Sequence, residues 1–272
     1  IICIKNSFHG RTIAAINASG SKKMTEGFGP KVNGFDHFKF GDHKKLKKLI
    51  TSRTAAIMIE TILGEGGIKV IPNWCLKDLR KICNQKKILL ILDEIQCGVG
   101  RTGTLFAHEE YNITPDIMAI AKGIGGGFPL GACLATESAA KGMTAGTHGS
   151  TYGGNPLACA VGNAVLDIIN DQEFLTKVKD KSIILKQKLA YLLDQHPEIF
   201  EEIRGKGLMI GLKCKIPNID LINAGYKKGV ITVPGGDNTV RLLPPLNITN
   251  EEIDIAINML DKCANDLKLK GG

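Results

Sequence analysis

The chain has 272 residues, of which 43% are apolar and 23% charged, enough to bury a substantial core and too apolar for a disordered chain. Thirty-two glycines without a collagen-like period argue against a helical bundle and for an α/β enzyme whose loops bring backbone close to a ligand. The net charge of +8 rests on lysines scattered along amphipathic stretches such as residues 43–50, which reads as a solvated face and excludes nucleic acid as the expected partner.

No apolar run approaches the roughly 20 residues that a membrane helix needs, so no membrane partner is expected. The eight cysteines form no C-x-x-C pair and no metal-ligand spacing. That pattern predicts no bound metal and a reducing, cytoplasmic compartment.

Ile1-Ile2-Cys3-Ile4 reads as a strand entered part-way, with neither an initiator Met nor a signal peptide, so the chain is expected to be N-terminally incomplete. From residue 54 to 136 strands and helices alternate. Residues 55–60 are a short apolar run, 72–86 have helical spacing through Leu76, Leu79, Ile82 and Cys83, and 88–92 are continuously apolar, as in a central parallel strand buried on both faces. Further strands are predicted over 117–120 and 132–135. Beyond Asn155-Pro156 the pattern predicts helices over 157–169 and 173–193, short strands over 208–213 and 240–242, and a last amphipathic helix over 251–267. These define a large α/β domain over 1–170 and a smaller α+β domain over 171–272.

Open α/β sheets bind ligands beyond the carboxyl ends of their strands. Those ends carry Glu60 with the loop Gly64-Glu65-Gly66-Gly67, then Asp93-Glu94-Ile95-Gln96, then Lys122 followed by Gly123-Ile124-Gly125-Gly126-Gly127. A lysine at the mouth of a buried sheet can act as a Schiff-base nucleophile, and an aspartate closing an apolar strand can hold a proton on a cationic ring nitrogen. Together they point to pyridoxal 5′-phosphate. A nicotinamide-dependent oxidoreductase is the rival class, but no G-x-G-x-x-G stands between a first strand and its helix with an acidic residue about 20 positions on. A non-catalytic remnant is the third reading.

Leu92-Asp93-Glu94-Ile95-Gln96-Cys97-Gly98-Val99-Gly100-Arg101-Thr102-Gly103, Pro115-Asp116-Ile117 and Ala121-Lys122-Gly123 resemble the signature of the class III pyridoxal-phosphate aminotransferases. Phe8-His9-Gly10-Arg11-Thr12, Gly64-Glu65-Gly66-Gly67, Gly149-Ser150-Thr151-Tyr152-Gly153-Gly154-Asn155-Pro156 and Arg241-Leu242-Leu243-Pro244-Pro245-Leu246 resemble further blocks of that family in the same order. The resemblance implies a fold-type I transferase, with a mostly parallel doubly wound sheet in the large, cofactor-binding domain and a smaller C-terminal α+β domain.

It also implies roles for individual residues. Lys122 would carry the cofactor and later move the proton between the substrate Cα and the cofactor C4′. Asp93 would hold the pyridine nitrogen protonated, Gln96 would hydrogen-bond near the ring O3′, and Phe8 would stack on the ring. Thr151 would donate to the cofactor phosphate of a neighbouring subunit and Ser150 would lie near the substrate there, so a homodimer with shared active sites is implied. Arg11 would hold the donor α-carboxylate. Glu65, in a Gly-flanked loop that could move, would mask Arg241 until a dicarboxylic acceptor arrives. The implied reaction is a ping-pong transfer of the terminal amino group of N-acetylornithine to 2-oxoglutarate, as in arginine biosynthesis, with ornithine, 4-aminobutyrate or succinyl-diaminopimelate as alternative donors. The family's main phosphate-binding block is expected upstream of Ile1.

Overall fold

The computed structural model describes residues 1–269. Its chain divides into two compact units, the first formed by Ile1–Thr61, Ile71–Val99 and Thr104–Asn170, the second by Ile62–Val70, Gly100–Gly103 and the chain from Asp171 onward.

The first unit is built on strands β1 (Ile2–Ile4), β2 (Asp36–Phe38) and β3 (Ala56–Glu60). The hairpin strands β4 (Ile62–Leu63) and β5 (Lys69–Val70) leave it for the second unit, and β6 (Leu89–Asp93), β7 (Ile117–Ala121) and β8 (Gly131–Ala135) complete its sheet. The order is β2-β1-β3-β6-β7-β8, parallel throughout except for β8, which runs antiparallel to β7. One face, with Ile57, Ile59, Leu90, Leu92, Met118 and Ile120, is buried. The opposite face, with Met58, Leu89, Ile91 and Ile117, is only half-covered. Residues 88–92, expected to be buried on both faces, are therefore buried on one face and partly covered on the other.

The helices of this unit are α1 (Ile13–Ala18), α2 (Lys22–Thr25), α3 (His43–Leu49), α4 (Asn73–Lys86), α5 (Glu137–Ala140) and α6 (Pro156–Ile169). Helix α4 follows Pro72 and buries Cys75, Leu76, Leu79 and Cys83, positions spaced to one face at 3.6 residues per turn. Each fully buried Leu or Ile of this kind contributes about 1.5–3 kcal/mol. Helix α6 starts on an Asn155 cap that accepts from the Ala158 N–H, with Pro156 in the first turn where its missing donor is harmless.

In the second unit, α7 (Gln172–Gln195), α8 (Asn218–Lys228) and α9 (Asn250–Lys268) accompany a four-stranded antiparallel sheet. Its strands β9 (Phe200–Lys206), β10 (Met209–Cys214), β11 (Val233–Gly235) and β12 (Thr239–Leu242) run in the order β11-β12-β10-β9. Leu189, Phe200, Ile210, Leu212, Val240, Ile253 and Cys263 share its core. A capping box between Thr249 and Glu252 starts α9. Arg101, in the short segment that joins this unit, donates to the carbonyls of Leu208 and Pro244, and burial lowers its guanidinium to about 10. Among the described residues no helix is long and apolar enough to cross a membrane.

Candidate active site

Four neighbouring parallel strands bring their carboxyl ends to one edge of the first unit. Glu60 and Asp93 are register partners at the ends of β3 and β6, and Asp93 also faces Ala119 of β7, three residues before Lys122. The segment after β1 adds Ser7, Phe8 and His9. The chain leaves β1 for β2 on one side and returns as β3 on the other, so the crevice lies where the strand order reverses.

Asp93 is 6% exposed. Its Oδ2 lies 2.9 Å from His9 Nδ1, and its Oδ1 accepts the Ile95 N–H at 3.1 Å. One acceptor direction per oxygen is thus used, and a carboxylate with about four such directions retains capacity for a further N–H. His9 is itself held from behind. Ser7 Oγ lies 2.8 Å from the Ile4 carbonyl and 3.0 Å from His9 Nε2, within hydrogen-bond reach of both. Both ring nitrogens of His9 are therefore engaged, and the ring is fixed against Asp93.

The other strand-end carboxylates serve the scaffold. Glu60 Oε1 accepts the Phe8 N–H at 2.9 Å, tying the β1 loop to β3. Glu94, fully buried, accepts the Ala107 and His108 N–H groups at 2.6 and 2.8 Å and lies 2.8 Å from His108 Nδ1. Cys97 is buried beside them, and that burial, reinforced by the Glu94 carboxylate, pushes its thiol well above the usual range, so it is no nucleophile.

Lys122 is exposed and adopts φ +51° at the start of a 3-10 turn, Lys122–Gly125, that leaves β7. Close packing sets this turn. A Cβ on Gly123 would lie 3.1 Å from Val99, and one on Gly126 would lie 2.9 Å from Val165 of α6. Gln96 sits half-buried in the turn after β6. Phe8 is half-buried, and the exposed Arg11 guanidinium lies 5.3 Å from its ring centroid.

Ser150 and Thr151 lie on an exposed segment, where Ser150 Oγ accepts the Gly153 N–H at 2.9 Å. Glu65 and Arg241 belong to the second unit and pair there, Oε1 to Nη1 at 2.8 Å, with Arg241 only 7% exposed and its Nε donating to the Pro234 carbonyl at 3.0 Å. The two predicted partners are therefore in contact.

The arrangement suits a flat cationic heterocycle. A buried, acceptor-rich carboxylate stands at one strand end, a primary amine at the next, and an aromatic ring on the loop beside them. His9 was missed as a positioning residue in the sequence. Its signal was present in the Phe8-His9-Gly10-Arg11 block, but 84 residues separate it from Asp93.

The family model for class III aminotransferases matches residues 1–264. The chain belongs to the class III aminotransferases. This is a family of pyridoxal-phosphate-dependent enzymes of fold type I. Among curated relatives of this aminotransferase chain, the acetylornithine aminotransferase of Mesorhizobium japonicum is 55% identical over 267 residues, 98% of this chain and 67% of the relative. That of Brucella melitensis is 54% identical over 269 residues, covering 99% and 67%. The ornithine aminotransferase of Toxoplasma gondii superposes with a TM-score of 0.92 at 32% identity, over 99% of this chain and 65% of that one. The N-acetylornithine aminotransferase of Stenotrophomonas maltophilia gives 0.83 at 32% identity, over 99% and 66%. The class III chain described here thus spans about two thirds of the length of the relatives it matches.

Proposed function

We propose that this class III aminotransferase moves the terminal amino group of N-acetylornithine to 2-oxoglutarate, yielding N-acetylglutamate semialdehyde and glutamate, the transamination used in arginine biosynthesis. The observation that carries the reading is the buried Asp93 at the end of β6, braced by His9, with Lys122 following the adjacent strand. The names of the 54–55% identical relatives support the donor.

Pyridoxal phosphate, when bound, supplies an electron sink for the carbanion that forms when the substrate loses a proton at carbon. The chain's own groups do the rest. Asp93, oriented by His9, would hold a proton on the ring nitrogen. Lys122 would be the amine that holds the cofactor and the base that moves the proton. Phe8 and Gln96 would hold the cofactor, Phe8 against its ring and Gln96 as a hydrogen-bond donor. Arg11 takes the donor's α-carboxylate through a planar fork that Lys lacks. Arg241, released by Glu65, takes a carboxylate of 2-oxoglutarate.

Thr151 and Ser150 act in the site of a second subunit, Thr151 on the phosphate and Ser150 beside the substrate. Exposed apolar side chains near them, Met143, Tyr152 and Leu157, support a homodimer contact over this segment. The enzyme is read as cytoplasmic. The cofactor domain read over 1–170 corresponds to the first unit without residues 62–70 and 100–103, which belong with the smaller C-terminal domain that begins at Asp171. Single-turnover conversion of the bound cofactor to its amine form, with acetylornithine, ornithine, 4-aminobutyrate and succinyl-diaminopimelate in parallel, tests the donor. A faster reaction with any of the last three overturns the acetylornithine reading and leaves the transaminase mechanism standing.

A further inference from the structure

The loop carrying Glu65 is bolted to the sheet that carries Arg241. Directly after it, Ile68 is fully buried with φ +53°, a backbone region that β-branched residues rarely occupy, so its packing must over-determine it. The space it fills exists because β9 and β10 have glycines there. A Cβ on Gly205 or Gly211 would come 2.9 Å from the Ile68 side chain.

A second fastening lies on the turn between β11 and β12. The Gly236 N–H donates to the Glu65 carbonyl at 2.7 Å, and a Cβ on Gly67 would fall 2.4 Å from the Gly236 carbonyl oxygen. Charges close the clamp. Arg204 Nη1 donates to Asp237 Oδ2 at 2.7 Å and reaches the Gly67 carbonyl at 3.4 Å, its Nε donates to Glu202 at 2.7 Å, and Lys69 Nζ lies 3.3 Å from Asp237 Oδ2. Contacts at the Glu65 carbonyl, Gly67 and Ile68 therefore hold the backbone at and directly after Glu65, so any motion of this carboxylate falls mainly to its side chain.

We propose that Ile68, Arg204 and Asp237 are positioning residues for acceptor discrimination: by fixing the Glu65 backbone against the β11–β12 turn they keep its carboxylate on Arg241 and deny that guanidinium to dicarboxylates during the donor half-reaction. The proposal rests on the reading of Glu65 as the mask of Arg241. A clamp that slackens lets the carboxylate leave more often, and 2-oxoglutarate then competes with the donor.

Asp237→Asn keeps the shape and removes the charge, and Arg204→Gln removes the other half. In the holoenzyme, hydrogen–deuterium exchange at Gly67 and Gly236 should rise about two- to fivefold in either variant, in keeping with local opening made easier by the loss of a partly exposed ion pair. The inhibition constant of 2-oxoglutarate against the donor half-reaction should fall about fivefold, with a smaller change in donor KM. Unchanged exchange in Asp237→Asn overturns the clamp. Faster exchange with an unchanged inhibition constant overturns its role in discrimination. Should Arg204→Gln fail to fold, the surface change Asp237→Asn decides alone. Glu65→Gln is measured alongside: an unchanged inhibition constant there sinks the masking reading itself, whatever the exchange data say about the clamp.

Discussion

His9 Nδ1 stands 2.9 Å from Asp93 Oδ2, and Ser7 Oγ holds the far side of the same ring at 3.0 Å. Three residues from two strand ends thus form one hydrogen-bonded line that points the carboxylate. A charge-assisted bond to a buried carboxylate contributes about 1.5–3 kcal/mol. His9→Phe, which keeps a ring and loses the donors, should therefore lower cofactor affinity or kcat about tenfold or more. His9→Asn, which restores one donor, should recover part of the loss. Cofactor dissociation measured by absorbance, alongside turnover, checks both. Equal losses in the two variants would mean that His9 only fills space.

Lys122 should carry the cofactor. Borohydride reduction of the holoenzyme, followed by peptide mass analysis, is expected to place the pyridoxyl group on Lys122, and Lys122→Ala should abolish transamination. Label on another lysine would remove the assignment. Asp93→Asn should damage turnover far more than melting temperature, because the amide keeps the shape and cannot hold the ring proton. A merely structural aspartate would show the reverse order, with a stability loss of roughly 1 kcal/mol.

Arg11 lies over Phe8 and is exposed, so its removal should cost little stability. Arg11→Met is expected to raise donor KM by about tenfold or more, in line with the loss of a bidentate carboxylate contact. Steady-state kinetics with donor and acceptor varied separately test this, and an effect confined to the acceptor would reassign the residue.

Asp237 has its carboxyl held below the usual range, first by the Arg204 hydrogen bond and also by Lys69, against a smaller opposing effect of burial. A carboxylate with a lowered folded-state pKa contributes stability above its unfolded value, about 3.9, and loses that contribution as pH falls through the folded value. The stability difference between the wild type and Asp237→Asn should therefore be present near neutral pH and vanish in strong acid. Urea unfolding at both pH values measures it. A difference that persists in acid would locate the effect in packing.

Gly207 tests the backbone of the second unit. It adopts φ +55°, and a Cβ there would come 2.4 Å from the Arg101 carbonyl oxygen. Gly207→Ala should destabilise by about 1–3 kcal/mol, since both the conformation and the space exclude a side chain. Denaturant midpoints give the answer, and a neutral result would show that the Arg101 segment can retreat.

Much of the chain was legible before any coordinates. The periodicity of 72–86, the change of pattern after Asn155-Pro156 and the apolar run at 88–92 place α4, α6 and β6 within a residue or two, because a helix face and a buried strand write their period directly into the sequence. The strand-end residues Asp93 and Lys122 followed from the same reading. Strand β9 and helix α8 were not anticipated. The first is charged and largely half-buried or exposed along Glu201 to Lys206, so one solvated side hides its alternation, and the second has a short apolar face in a polar segment. What only the tertiary structure decided was partnership. Nothing local in His9 points to Asp93, and nothing in Ile68 points to the space left by Gly205 and Gly211. These pairs are separated by 84 to 143 positions and are brought together by strand order and sheet packing, which depend on the whole chain folding at once and not on any window within it.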